Sequence, residues 1–114
     1  MKLITQNEKI SRAELQPLAE RMFSGIVKAV VDIEKEVMLI DAEMHADEEA
    51  ELLESGSKQE DLWGINFYPE ESEEKFVEFD SMINIRPRQG NRSRGVDDEA
   101  MRMKILAVIK KLVI

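Results

Sequence analysis

The chain has 114 residues, with 24 Asp and Glu against 16 Lys and Arg, a formal charge of −8 and no cysteine. That length suits one α+β domain over residues 1–114 with a core of ordinary size, and the lack of cysteine excludes disulfides, thiol nucleophiles and cysteine-ligated zinc. The acidic total argues against broad nucleic-acid binding, which draws its affinity from many Lys and Arg contacts.

The N-terminus turns polar after Leu3-Ile4, too soon for a signal peptide, and no apolar run approaches the roughly 20 residues of a membrane helix. A cytoplasmic protein without a membrane partner is the expectation. Charge is unevenly placed: residues 1–85 hold 21 acids and 8 bases, whereas 86–114 hold 3 acids and 8 bases. The basic tail admits a local anion site, or it simply lies on a solvated helix.

Ser11-Arg12-Ala13-Glu14 is a capping-box pattern followed by Leu15, Leu18, Ala19 and Met22, which predicts a helix from Ser11 to Phe23 that starts late or bends at Pro17 and ends at Gly25. Val27, Ala29, Val31 and Ile33 alternate as in a half-buried strand. Met38, Ile40, Ala42 and Met44 form the apolar side of a second strand, with Asp41, Glu43 and His45 between them. A hairpin with Ile33 opposite Met38 gathers these apolar residues on one face, and sets Lys28 opposite Glu43 and Val30 opposite Asp41. Asp47 to Glu54 predicts a short helix with Gly56 beyond its end.

A second hairpin is expected from Leu62–Tyr68 and Phe76–Arg86 around a loop at residues 69–75. Its odd face, Trp63, Ile65, Phe67, Val77, Phe79, Ser81, Ile83 and Ile85, is core. Its even face, Gly64, Asn66, Tyr68, Glu78, Asp80, Met82, Asn84 and Arg86, is polar. Asp97-Asp98-Glu99 opens a last helix with Met101, Ile105, Val108, Ile109 and Leu112 as its apolar stripe. The order α-β-β-α-β-β-α, with a further short strand near Lys2–Thr5, predicts a two-layer α+β sandwich: two antiparallel hairpins in one sheet and three helices.

The segments His45-Ala46-Asp47-Glu48-Glu49, Gly56-Ser57-Lys58-Gln59-Glu60, Leu62-Trp63-Gly64-Ile65-Asn66, Phe79-Asp80-Ser81 and Ile83-Asn84-Ile85-Arg86-Pro87 resemble a family of small prokaryotic proteins of unknown function. The likeness runs from about Lys28 to the C-terminal helix. It implies no activity and lends no catalytic residue.

Three constellations carry chemistry. Glu43, His45 and Asp47, with Glu48 beside them and Glu78 and Asp80 if the hairpins lie side by side, offer carboxylates and an imidazole for a divalent ion. The competing explanation is a solvated strand end, since with 24 acids in the chain such neighbours arise by chance. The loop Arg86-Pro87-Arg88-Gln89-Gly90-Asn91-Arg92-Ser93-Arg94-Gly95 brings four arginines and two glycines to a helix start, a place that favours anions. Asp97, Asp98 and Glu99 compete for those arginines.

The third is the amide-bearing face. Ile65-Asn66-Phe67-Tyr68-Pro69 and Ile83-Asn84-Ile85-Arg86-Pro87 share one pattern, and Asn is depleted in strands because it offers the backbone competing bonds. Asn66, Tyr68, Asp80, Asn84 and Arg86 therefore form either a ligand-binding surface or a set of ties to loop backbone. Trp63 belongs to the core by parity, and the methionines need only packing to explain them.

No P-loop, GxGxxG, HExxH or GxSxG motif is present, so ordinary enzyme classes lack sequence support and no cofactor can be named. The leading expectation is a small non-catalytic binding or interaction module. Asn66, Tyr68, Asp80, Asn84, Arg86, Arg88, Arg92 and Arg94 would hold an anionic small molecule or a protein partner. The alternative is a metal-dependent hydrolase or nuclease using Glu43, His45, Asp47 and Asp80. A homodimer through the even face, with Met82 and Val30 as apolar spots, is a third.

Overall fold

The computed structural model describes residues 1–22 and 24–114. Five strands, β1 (Lys2–Ile4), β2 (Val27–Asp32), β3 (Val37–Ile40), β4 (Leu62–Phe67) and β5 (Val77–Glu78), form one antiparallel sheet in the order β1-β3-β2-β4-β5. Three helices accompany it: α1 (Arg12–Arg21), α2 (His45–Glu54) and α3 (Glu99–Leu112). This is the expected α+β class, with both hairpins and all three helices. The two hairpins join through β2 and β4, where Lys28 pairs with Asn66 and Ala29 with Ile65.

Helix α1 begins as its capping box predicts. Ser11 Oγ accepts the Glu14 N–H at 3.1 Å, while the Glu14 carboxylate accepts the Ser11 N–H at 3.0 Å. Pro17 neither delays the start nor ends the helix, which runs on to Arg21. The expected extension to Phe23 lies outside the described residues.

The β2–β3 register is offset by two residues from expectation: Val31 faces Met38 and Ala29 faces Ile40. Asp32, 1% exposed, sets it by accepting the N–H groups of Glu34 and Lys35, each at 2.9 Å, while Glu36 takes a left-handed φ of 55°. A slip of two keeps every side chain on its face, so the core parity survives. The charge pair does not: Lys28 Nζ donates to the Glu43 backbone carbonyl at 2.7 Å.

One sheet face carries the main core, with Val27, Ala29, Val31, Met38, Ile40, Trp63, Ile65 and Phe67 packed on Leu15 and Ala19 of α1 and Ile105, Val108, Ile109 and Leu112 of α3. Helix α2 lies on the opposite face, where Leu52 packs on Val30, Leu39 and Leu62, with Ile83 against them. Val30 is therefore buried and supplies no apolar spot for an even-face interface. Chain order had suggested β3 as far as His45. Instead the strand stops at Ile40, Asp41 takes a φ of 70°, Glu48 Oε2 accepts the Ala42 N–H at 3.0 Å, and α2 opens at His45.

The strand expected over Phe76–Arg86 shrinks to two residues. After Asp80 the chain folds into two 3-10 turns, Met82–Asn84 and Pro87–Gln89. Ile83 packs against the α2 side and Ile85 is 37% exposed, so odd–even parity fails beyond Asp80. Among the described residues, no helix is long and apolar enough to cross a membrane.

Candidate functional site

Where β5 stops, side chains complete the exposed edge of β4. Asn84, fully buried, takes the place of a strand residue: its Oδ1 accepts the Gly64 N–H at 2.8 Å and its Nδ2 donates to the Gly64 carbonyl at 3.0 Å and to the Arg94 carbonyl at 2.9 Å. Gly64 also lets Ser81 pack over this edge, because a Cβ there would lie 2.5 Å from the Ser81 Cβ. Arg86 closes the far end. Its guanidinium lies 4.2 Å from the centre of the Trp63 ring and donates to the Leu62 carbonyl at 2.7 Å and to the Gln59 carbonyl. Burial lowers its pKa, with Glu49 opposing; a guanidinium nevertheless stays charged.

Asn91, 4% exposed, organises the arginine loop. Its Nδ2 donates to the carbonyls of Asn84, Ser93 and Gly95 at 2.7, 3.1 and 2.9 Å, and its Oδ1 accepts the Asp97 N–H at 2.8 Å. Asp97 ties the same loop through Ser93 Oγ at 2.5 Å and the Arg92 N–H at 2.9 Å, and these bonds lower its carboxyl pKa. The start of α3 is occupied by Asp98, which caps the Ala100 N–H at 3.0 Å. The four arginines have separate roles. Arg86 is built into the β4 edge, Arg94 Nε donates to Asp80 at 2.6 Å, and Arg88 and Arg92 lie exposed on the loop.

The remaining members of the amide-bearing face meet in a cleft of about 330 Å³ on the α2 side of the sheet, lined by Lys28, His45, Asn66, Tyr68, Glu78, Asp80 and Arg94 among others. Pairing of Lys28 with Asn66 and of Asn66 with Glu78 sets these three abreast on β2, β4 and β5. Asn66 is 4% exposed. Its Nδ2 donates to Glu78 Oε1 at 2.9 Å and to the Asp80 carbonyl at 3.3 Å, which fixes the amide's orientation. Its Oδ1 lies near the His45 ring but accepts no well-formed hydrogen bond among the described residues. Tyr68 also donates to Glu78 Oε1, at 3.0 Å; burial, then Glu78, raises the phenol's pKa, so the hydroxyl keeps its proton.

His45 Nε2 lies 2.7 Å from the Ile65 carbonyl, so the neutral ring carries its proton on Nε2 and leaves Nδ1 as an acceptor. Burial pushes its pKa below the ordinary imidazole value; the Ile65 carbonyl, Asp80 and Asn66 oppose that shift and Lys28 adds to it. The expected metal set is not assembled. Glu43 and Asp47 are exposed, Glu43 offers its backbone carbonyl to Lys28, and the Glu48 carboxyl turns to Ala42. Among the described residues, no three His, Asp or Glu side chains are grouped to hold a metal ion.

Several cleft residues are not foreseen by the sequence, among them Ile26, and Ser81 and Ile83 of the expected core face. Lys28 looked like the partner of Glu43, and only the β2–β4 register reveals it beside Asn66. Met44, a core position by strand alternation, is 57% exposed at the start of α2 and lines the cleft with Ala46. Met82, 64% exposed in the 3-10 turn after Asp80, lines its other flank.

Fold and cleft together define a small antiparallel α+β domain with a polar cleft between the start of α2 and the β4–β5 edge. Over residues 3–112 the chain matches the family described as "Protein of unknown function (DUF5674)", and it belongs to that family. No curated protein matches it, and no solved structure does.

Proposed function

We propose that the protein is a small non-catalytic binding module whose ligand occupies the cleft between α2 and the β4–β5 edge. One observation carries this reading: Asn66 is almost wholly buried in the cleft wall with its Oδ1 unpaired. A buried acceptor without a donor costs about 1–3 kcal/mol, and a ligand that supplies the donor removes that cost. The cleft's volume is at the small end of the range for ligand pockets, and its wall mixes a few oriented polar groups with apolar Ile26, Met44, Met82 and Ile83.

The loop at residues 86–95 acts here as scaffold, since Arg86, Asn84 and Asn91 spend their bonds on backbone, and only Arg94 reaches the cleft. The test is an amide NMR titration of labelled protein with a fragment set of small amines, carboxylates, amides and heterocycles. Shifts clustered at Lys28, Ala46, Asn66 and Glu78 are expected. Shifts confined to α1 and α3, or none with any fragment, refute the reading.

A further inference from the structure

We infer that the cleft's ligand is a free α-amino acid zwitterion with an apolar side chain, an assignment that rests on the cleft being the binding site. Lys28 and Glu78 stand at opposite ends of the row Lys28–Asn66–Glu78, and neither takes part in an ion pair among the described residues. The other charges of the cleft are internally matched, because Arg94 pairs with Asp80 at 2.6 Å. One cation and one carboxylate thus flank an amide, and each lacks a counter-charge, the Lys28 ammonium being held only by the neutral Glu43 carbonyl at 2.7 Å.

Lys28 and Glu78 stand on the strands either side of Asn66, so the two opposite charges border one small cleft.

The surrounding groups agree with that orientation. The first turn of α2 has no side-chain cap from Met44, and Ala46 of that turn lines the cleft, so backbone N–H groups and the positive helix end add to Lys28 on the carboxylate side. On the ammonium side, Glu78 Oε1 is held by Tyr68 and Asn66, and the unpaired Asn66 Oδ1 offers a second acceptor. Met44 and Met82, 57% and 64% exposed, flank the opening as flexible apolar surfaces for the side chain.

The experiment compares L-methionine, N-acetyl-L-methionine and L-methioninamide by amide NMR titration of the full chain, alongside the fragment set used for the cleft itself. Methionine is expected to shift Ala46, Asn66 and Glu78, with each singly blocked form weaker by about tenfold or more, since each leaves one charged partner unmatched. Glu78→Gln keeps an oxygen for Tyr68 and Asn66 but removes the charge, and is expected to erase the preference for methionine over its N-acetyl form. Equal response to all three compounds overturns the zwitterion assignment while leaving a cleft that binds. A cleft that answers only to other fragments does the same, and silence to every compound overturns the binding reading as well. The wild-type comparison decides the matter even if a variant fails to fold.

Discussion

Replacing Asn84 by alanine removes a surrogate strand from the β4 edge. The amide makes three bonds, to both polar groups of Gly64 and to the Arg94 carbonyl, at 2.8–3.0 Å in a fully buried position. Alanine leaves the buried Gly64 N–H without an acceptor and the Gly64 carbonyl without a donor, whereas the Arg94 carbonyl keeps the Ser81 N–H at 2.9 Å. At about 1–3 kcal/mol for an orphaned buried group, with the carbonyl at the low end, the loss is about 2–4 kcal/mol. That is a large part of the roughly 5–15 kcal/mol expected of a native domain. An unfolding entropy of about 2.1 cal/mol/K per residue over 114 residues makes each kcal/mol worth about 4 °C, so the melting temperature should fall by about 8–16 °C. Urea unfolding at constant slope measures the same quantity. Asn84→Asp should do no better, because it sets an oxygen against the Gly64 and Arg94 carbonyls. Loss of less than about 1 kcal/mol by Asn84→Ala would refute the surrogate-strand account, whereas Met82→Ala, at an exposed position, should stay within about 0.5 kcal/mol.

Gly64→Ala should cost about 1–3 kcal/mol through overlap with Ser81, and Ser81→Gly should recover part of it in a double-mutant cycle; additive losses would mean the two do not meet. Burial raises the Glu48 pKa to about 9 from its ordinary 4.5, so the folded state holds a proton that the unfolded chain releases. Its contribution is complete below pH 4.5 and is lost as pH rises toward 9. Glu48→Gln, which can still accept the Ala42 N–H, should therefore gain on wild type as pH rises, by about 2–4 kcal/mol near pH 7; a pH-independent difference in urea midpoints would contradict this. His45 has the opposite sign. Its lowered pKa means the unfolded state takes up the proton first, so this contribution is present above the unfolded imidazole pKa and lost as pH falls through the folded one. Nitrogen NMR should show a neutral ring protonated on Nε2 at pH 7, and a ring charged at that pH would refute the assignment.

Local rules carried the reading wherever neighbours in sequence are neighbours in space. The Ser11 capping box, the Asp98 start of α3, the parity of Val27, Ala29 and Val31, and the burial of Trp63 all follow from period and capping alone. Turn chemistry was the first thing to go unseen. The carboxylate of Asp32 claims two N–H groups and moves the β2–β3 register by two residues, invisibly to face parity but fatally for the Lys28–Glu43 pair. Strand pairing between distant segments was the second. Nothing near Lys28 announces Asn66 as its partner, and nothing in Phe76–Arg86 shows that one buried amide can replace a strand. Asn66, Tyr68, Asp80 and Arg94 stand out by chemical type alone, while only the fold places Lys28 and Met44 beside them.

The two Ile-Asn segments, alike in sequence, separate by their hydrogen-bond inventories. An asparagine amide has two donors and one oxygen that accepts. Asn84 uses both ends, whereas Asn66 donates twice and its oxygen receives nothing. A fully used amide is structure; a buried one left half-used is a place where a ligand's donor adds to binding. Asn66→Ala gives up two bonds, but Glu78 keeps Tyr68 and the orphaned oxygen disappears with the side chain. Its net cost should be about 1 kcal/mol, below that of Asn84→Ala, while ligand-induced shifts at Ala46 and Glu78 should vanish. Equal destabilisation by the two substitutions, with those shifts intact, would make Asn66 another piece of scaffold and remove the amide from the binding site.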